Sequence, residues 1–202
     1  MSDPGFFAVV GGQRACRRFA PDAVPDGDVA RVLDAAVHAP SAENSQPWVF
    51  VVVRDPEVRQ AIDGLARTLW DGGARQHSVP RLAPGLLAEV DEATQLGFGG
   101  APVLVVVAGD GRDGTTRRTL ASSVFPAVQN LLLAANALGY GSALTTLTTV
   151  AAGELSGLLA LPEGVEPLAV IPLGRPARPL GPPRRTPAAA RTHRDRYGTP
   201  FA

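Results

Sequence analysis

Apolar residues recur along this chain in two rhythms: steps of three and four that mark helices, and unbroken β-branched runs that mark strands. Val29, Leu33, Ala36 and Val37 follow Pro25-Asp26-Gly27-Asp28 at helical spacing, which predicts a helix capped by Asp26 and ending near His38. A second helix starts at Asp55-Pro56-Glu57 and runs to about Trp70, where Asp71-Gly72-Gly73 breaks it. A weaker pattern spans Leu82 to Gln95, with Pro80 and Pro84 near its start. The longest pattern, from about Thr119 to Leu138, is apolar nearly all round, which suits a helix central to a domain or one at a subunit contact. Shorter helices are expected at Phe6–Val10 and Val150–Leu161. Trp48–Val53 reads as a buried strand and Val103–Ala108 as an interior one. Gly139-Tyr140-Gly141-Ser142 leads into a short strand, and Leu168–Gly174 is a last strand, placed at an edge or a strand end by Pro172.

At 202 residues the chain can bury a sizeable core, and 1–202 reads as a single domain. Beyond Gly174 apolar residues give way to Arg and Pro, so 175–202 is expected to lie extended over the fold or over a neighbouring subunit. Hydrophobic content of 45% against 19% charged excludes a disordered chain, and a net charge of +0 gives no basis for a nucleic-acid or anionic-membrane partner. The single cysteine, Cys16, excludes an intrachain disulfide and a cysteine-rich zinc site, and points to a reduced, cytoplasmic setting. Met1-Ser2-Asp3-Pro4-Gly5 carries no basic start, the apolar stretch after it is too short for a secretory signal, and no window reaches the length of a membrane span.

Three polar stretches carry candidate chemistry. In Ala39-Pro40-Ser41-Ala42-Glu43-Asn44-Ser45-Gln46-Pro47-Trp48, two prolines restrict a loop of hydroxyl and amide side chains held between a helix and a strand. This is either an ordinary turn or a preset array of donors and acceptors suited to a flat heteroaromatic ring. Arg14, Arg17 and Arg18 lie within five residues, either as a solvated turn or as paired N–H donors for a phosphate or carbonyl edge. The glycines around Tyr140 either relieve helix-strand crowding or let backbone groups approach a planar ligand. His38 and His77 have no partner at metal-ligand spacing and read as a helix-end residue and a surface residue. The amides of Gln129 and Asn130 suit core pairing better than a ligand, and Gly109-Asp110-Gly111 lacks the spacing of a dinucleotide fingerprint.

Taken in order, the Arg-rich turn, the Pro-Ser-x-x-Asn-Ser-Gln-Pro-Trp loop, the Gln-Asn-Leu-Leu-Leu-Ala-Ala helix with Gly-Tyr-Gly-Ser, and Pro-Leu-Gly with its Arg-Pro tail resemble the FMN-dependent nitroreductase family. The resemblance covers roughly residues 13–185. It implies an α+β three-layer α-β-α sandwich around a mainly antiparallel sheet, and an interlocked homodimer with FMN at the subunit interface. It implies hydride transfer from NAD(P)H through FMN to a nitroaromatic, quinone or related small acceptor, without a catalytic side chain. Other readings within the same fold are a flavin-binding or sequestering protein, heterocycle dehydrogenation, or flavin fragmentation. The residues implied at the cofactor are Arg14 and Arg17, with Arg17 at the pyrimidine end of the ring, and Pro40, Ser41, Asn44 and Gln46 from the other subunit. Leu144, Thr145 and Thr146 are implied beside the ring, and Arg184 and Arg185 at the phosphate. Gln13 and Ala15 stand where the family's Arg-Arg-Ser-x-Arg pattern has Arg and Ser, so a charged donor and a hydroxyl are missing. At roughly 1.5–3 kcal/mol per charge-assisted bond, FMN affinity falls by one or two orders of magnitude unless the tail compensates.

Overall fold

The computed structural model describes residues 5–201. The reading of Met1–Pro4 therefore lies outside the described residues. A four-stranded sheet in the order β1-β2-β4-β3 organises the rest, with β1 Trp48–Val53, β2 Val103–Asp110, β3 Gly141–Ser142 and β4 Val165–Gly174, all paired antiparallel. Helices cover both faces: α1 Phe6–Gly12, α2 Asp26–Ala36, α3 Pro56–Leu69, α4 Arg75–Ser78, α5 Pro84–Gln95, α6 Gly97–Gly100, α7 Arg117–Ala137 and α8 Ala152–Leu158. This is the three-layer α+β sandwich that the resemblance implies.

Alternation along β2 shows why two layers of helix are needed. Val103, Val105 and Val107 point into a core shared with α2 and α7, while Leu104 and Val106 point into a second core with α3, α8, Cys16 and Phe19. All five are at most 1% exposed, and each such side chain contributes about 1.5–3 kcal/mol of hydrophobic burial, so an uncovered face would forfeit much of the fold's stability. α7 lies across the first face. It is long and apolar enough to cross a membrane by length and composition, contrary to the expectation that no window would be. Leu120, Val124, Val128 and Leu131 are nevertheless buried within the fold, so the apolar pattern is explained by the central position of α7.

Several expectations are corrected. Asp26 does not cap α2: Pro25 occupies that position, and the Asp26 carboxylate pairs with Arg54 at 2.8 Å. Asp55 does cap α3, accepting from the Glu57 and Val58 amides. β1 is an edge strand and not a buried one, half-exposed along most of its length. β4 is interior despite Pro172. Val170 bonds Thr145 in both directions, so the missing Pro172 N–H two residues on faces that same side, where Ala143 and Leu144 leave the ladder after β3 ends at Ser142. A bulge in β4 at Leu168, opposite Val107 and Ala108 of β2, turns Leu168 and Ala169 into the same core. The break expected at Asp71-Gly72-Gly73 is present as a kink: Gly73 leaves helical geometry at φ 144° within a π-turn over Trp70–Ala74, and α4 resumes at Arg75.

Candidate active site

The arginine turn is pinned to the β3 edge by a single parallel bridge, Ala15 to Ser142. Cys16 N–H donates to the Ser142 carbonyl and Phe19 N–H to Gly99, while Ala20 N–H reaches Arg175 and Ala177 N–H returns to Arg18. Two glycines permit this. A Cβ on Gly141 would sit 2.7 Å from Cys16 Cβ and Sγ, and one on Gly99 would sit 2.1 Å from the Arg17 carbonyl oxygen. Gly99 belongs to a run in the left-handed region, with φ of 65° at Gly97, 44° at Phe98, 71° at Gly99 and 74° at Gly100. Phe98 tolerates this unfavourable region only because the surrounding contacts fix it. Behind the run, α3 holds both ends: Arg67 donates to the Gln95 carbonyl and Arg59 to Ala101.

With its backbone fixed this way, the turn presents guanidinium groups to a cavity of about 330 Å³ lined by Arg14, Arg17, Arg18 and Arg178, with Glu89 and Glu92 of α5 on the far wall. Arg14 donates to the Gly181 carbonyl at 3.2 Å, Arg17 lies 3.8 Å from Glu89, and Arg18 pairs with Glu92 at 2.8 Å. Burial lowers the Arg17 pKa and Glu89 opposes that, so the group stays a cation at neutral pH. Burial pushes the Cys16 thiol up despite the neighbouring arginines, which leaves it a packed neutral thiol and not a nucleophile.

Arg17 also borders a second cavity of about 190 Å³, walled by Trp70, Phe98, Val90, Leu144, Thr145 and Leu147. Trp70 is fixed there because its Nε1–H donates to Asp91 at 2.8 Å, and Arg75 bonds the same carboxylate at 2.8 and 2.9 Å. These contacts, Arg75 first and Trp70 second, hold the Asp91 carboxyl below the usual range.

Of the sequence-predicted residues, the structure brings Arg14, Arg17, Leu144 and Thr145 around these adjoining cavities. Thr146 is exposed just beyond them, its carbonyl taken by the Thr149 hydroxyl. Pro40, Ser41, Asn44 and Gln46 lie apart, in a loop over the N-terminal half of α7, where the Ser123 hydroxyl accepts from Ala42 N–H. Three residues of that loop are in the left-handed region, at φ 53° for Glu43, 55° for Asn44 and 48° for Gln46. The Ser41 hydroxyl accepts from Gln46 N–H, which closes the loop. Arg184 and Arg185 are exposed on the tail and do not meet Arg17 within one chain. Asn130 donates to the Ala35 carbonyl, as a core amide would, while Gln129 is exposed. His38 and His77 are both exposed.

Sequence reasoning missed Arg178, Glu89, Trp70 and Phe98. Gly-Phe-Gly-Gly before β2 was the available signal: an aromatic among glycines marks a turn able to put a ring into a cavity at positive φ. The donor set fits a flavin mononucleotide. Guanidinium groups suit a phosphate and a carbonyl edge, the Trp70 and Phe98 walls suit a flat ring, and Arg178 adds a cation to the cavity that Ala15 lines without a donor.

Comparison with known proteins agrees with this architecture. The chain is 30% identical over 171 residues to a Methanothermobacter thermautotrophicus protein named as an NADH dehydrogenase/NAD(P)H nitroreductase, a match covering 84% of this chain and 76% of that one. It is 37% identical over 152 residues to the 5,6-dimethylbenzimidazole synthase of Rhodospirillum rubrum, covering 68% and 66%. A solved structure from Desulfovibrio desulfuricans, described as a nitroreductase in complex with FMN, superposes with a TM-score of 0.75 at 26% identity, covering 97% of this chain and 99% of that one. A model of the Nitroreductase family matches residues 10–175, and with the sheet order and the arginine turn already described, the chain belongs to the nitroreductase family.

Proposed function

We propose that this protein is an FMN-dependent oxidoreductase that passes reducing equivalents from NAD(P)H to a nitroaromatic, quinone or related small acceptor, as a cytoplasmic homodimer. One observation carries the reading: the Arg14–Arg17 turn lines an arginine-rich cavity, and Arg17 also borders an apolar cavity lined by Leu144 and Thr145. When bound, FMN supplies the redox chemistry, accepting hydride and handing it on. Arg17 is the cation for the pyrimidine edge of the ring and favours negative charge there. Arg14 and Arg178 donate to the phosphate in place of the groups absent at Gln13 and Ala15, and Arg184 and Arg185 add charge from the tail. Trp70 and Phe98 keep water from the ring, and the Leu144–Thr146 backbone lies alongside it. Pro40, Ser41, Asn44 and Gln46 reach the same ring from the second copy. No acid–base side chain is required, since water supplies protons.

The test is the absorption spectrum of the purified protein, followed by FMN titration and anaerobic titration with NADH and NADPH. A flavin spectrum bleached by either nucleotide and restored by a quinone or nitroaromatic supports the reading. A colourless protein that neither takes up FMN nor oxidises NAD(P)H in its presence overturns it. A second reading, flavin chemistry other than acceptor reduction, is favoured by the 37% identity to a 5,6-dimethylbenzimidazole synthase. Flavin absorbance lost irreversibly under oxygen would favour it. FMN bound with no NAD(P)H oxidation would leave a flavin-binding or sequestering protein.

A further inference from the structure

The arginine cavity contains its own anion. Glu89, on α5, reaches two of the cations: Arg178 at 3.3 Å and Arg17 at 3.8 Å. Its neighbour Glu92, one helical turn on, is engaged with Arg18 at 2.8 Å, where both side chains are half or more exposed. Arg17 is the most enclosed of these cations, with 29% of its side chain exposed against 60% for Arg18 and 71% for Arg178. Through Arg17, Glu89 therefore faces the cation best shielded from water, where charge interactions are least screened, while its closer partner Arg178 is solvated. It is also held there from behind. α5 is anchored two residues on by Asp91, which bonds Trp70 and Arg75.

We infer that Glu89 is a displaceable internal counterion of the ligand-binding arginines: a phosphate-bearing ligand gains Arg178 for its phosphate and Arg17 for its ring edge only by taking them from this carboxylate. The inference rests on the flavin-site reading for the identity of the natural ligand, but not for the competition itself. A carboxylate and a phosphate oxygen want the same forked N–H donors, so occupancy by one excludes the other. The cost to the ligand is the pairing that Glu89 gives up. For partly exposed pairs this amounts to a fewfold change in affinity for each contact. The gain for the protein is a cluster of like charges neutralised when no ligand is bound.

The experiment compares wild type with Glu89→Gln and Glu92→Gln at low ionic strength, using two probes. FMN is titrated by the quenching of its fluorescence. Inorganic phosphate is titrated against the arginine side-chain N–H signals by NMR, which needs no flavin ring. Glu89→Gln is expected to bind both probes about three- to tenfold more tightly, with the gain shrinking as salt is raised. Glu92→Gln is expected to stay within about twofold of wild type, because its partner Arg18 is solvated and is not among the cations assigned to the ligand. Unchanged or weaker binding of both probes by Glu89→Gln overturns the inference, as does an equal gain from Glu92→Gln. If no variant binds FMN yet Glu89→Gln gains phosphate affinity, the flavin reading fails and the counterion stands. If wild type binds FMN and Glu89→Gln gains on neither probe, the counterion fails and the flavin reading stands.

Discussion

The two polar stretches that stand out in the sequence meet different fates in the fold. The turn around Arg17 is tied down on all sides, by Ser142, Gly99 and the 175–177 segment, and faces a cavity within its own chain. The loop around Asn44 is just as constrained in its backbone, with three residues at positive φ, yet Asn44 and Gln46 are exposed. Strain held in an exposed loop with no ligand group opposite it calls for an explanation, because each such residue costs of order 1–3 kcal/mol that a free loop would shed. On the proposed reading the explanation is a second copy. One stretch is the half of a site that a single chain completes, and the other is the half it offers to its partner.

The largest effect should come from the support of the first half. Gly99→Ala places a Cβ against the Arg17 carbonyl and asks alanine to adopt φ 71°. The expected loss is about 3 kcal/mol or more, or a Tm roughly 6–12 °C lower, with flavin uptake lost in parallel. A variant as stable as wild type would show that the left-handed run is not what fixes the turn.

Next, Arg17→Ala should weaken FMN binding about 10- to 100-fold by titration while changing Tm little, since its one ion pair is long and partly exposed. Asn44→Gly keeps the left-handed backbone and removes only the amide. FMN affinity should fall about fivefold with Tm within about 2 °C. Equal Tm losses in both variants would mean that the two stretches are scaffolding and would erase the distinction between them.

The smallest effect concerns Asp63, beside Gly97 behind the turn. Burial raises its carboxyl pKa, with Arg67 and Arg59 opposing. A folded pKa above the unfolded one means that ionisation favours unfolding, so native stability rises as pH falls through the folded pKa. Asp63→Asn should therefore hold or slightly raise Tm at pH 7, and its advantage should vanish on acidification. A clear loss at pH 7, read by thermal melts across pH, would show that the two arginines outweigh the burial.

What the sequence revealed and what it hid follow from range. β2 was legible because Val103 to Ala108 is buried on both faces and needs no distant context. Asp55 was recognisable as a local helix start, whereas Asp26 was misread because Arg54, 28 positions away, competes for its carboxylate. β4 looked like an edge because a proline's missing donor is a local fact, while the gap in β3 that tolerates it is a tertiary one. In the site, Arg14 and Arg17 stood out by clustering. Glu89, Trp70 and Arg178 did not, because only the folding of α5 and the tail over the turn brings them together.

The sharing of a site between two chains is tested most directly by mixing. Arg17→Ala and Asn44→Ala proteins, each defective in FMN binding, are combined, dissociated and allowed to reassociate. If Arg17 and Asn44 converge from different chains, each mixed dimer carries one intact site, and roughly a quarter of wild-type flavin sites should reappear by titration. No recovery above the separate variants, with reassociation shown by differential tagging, would contradict the shared site.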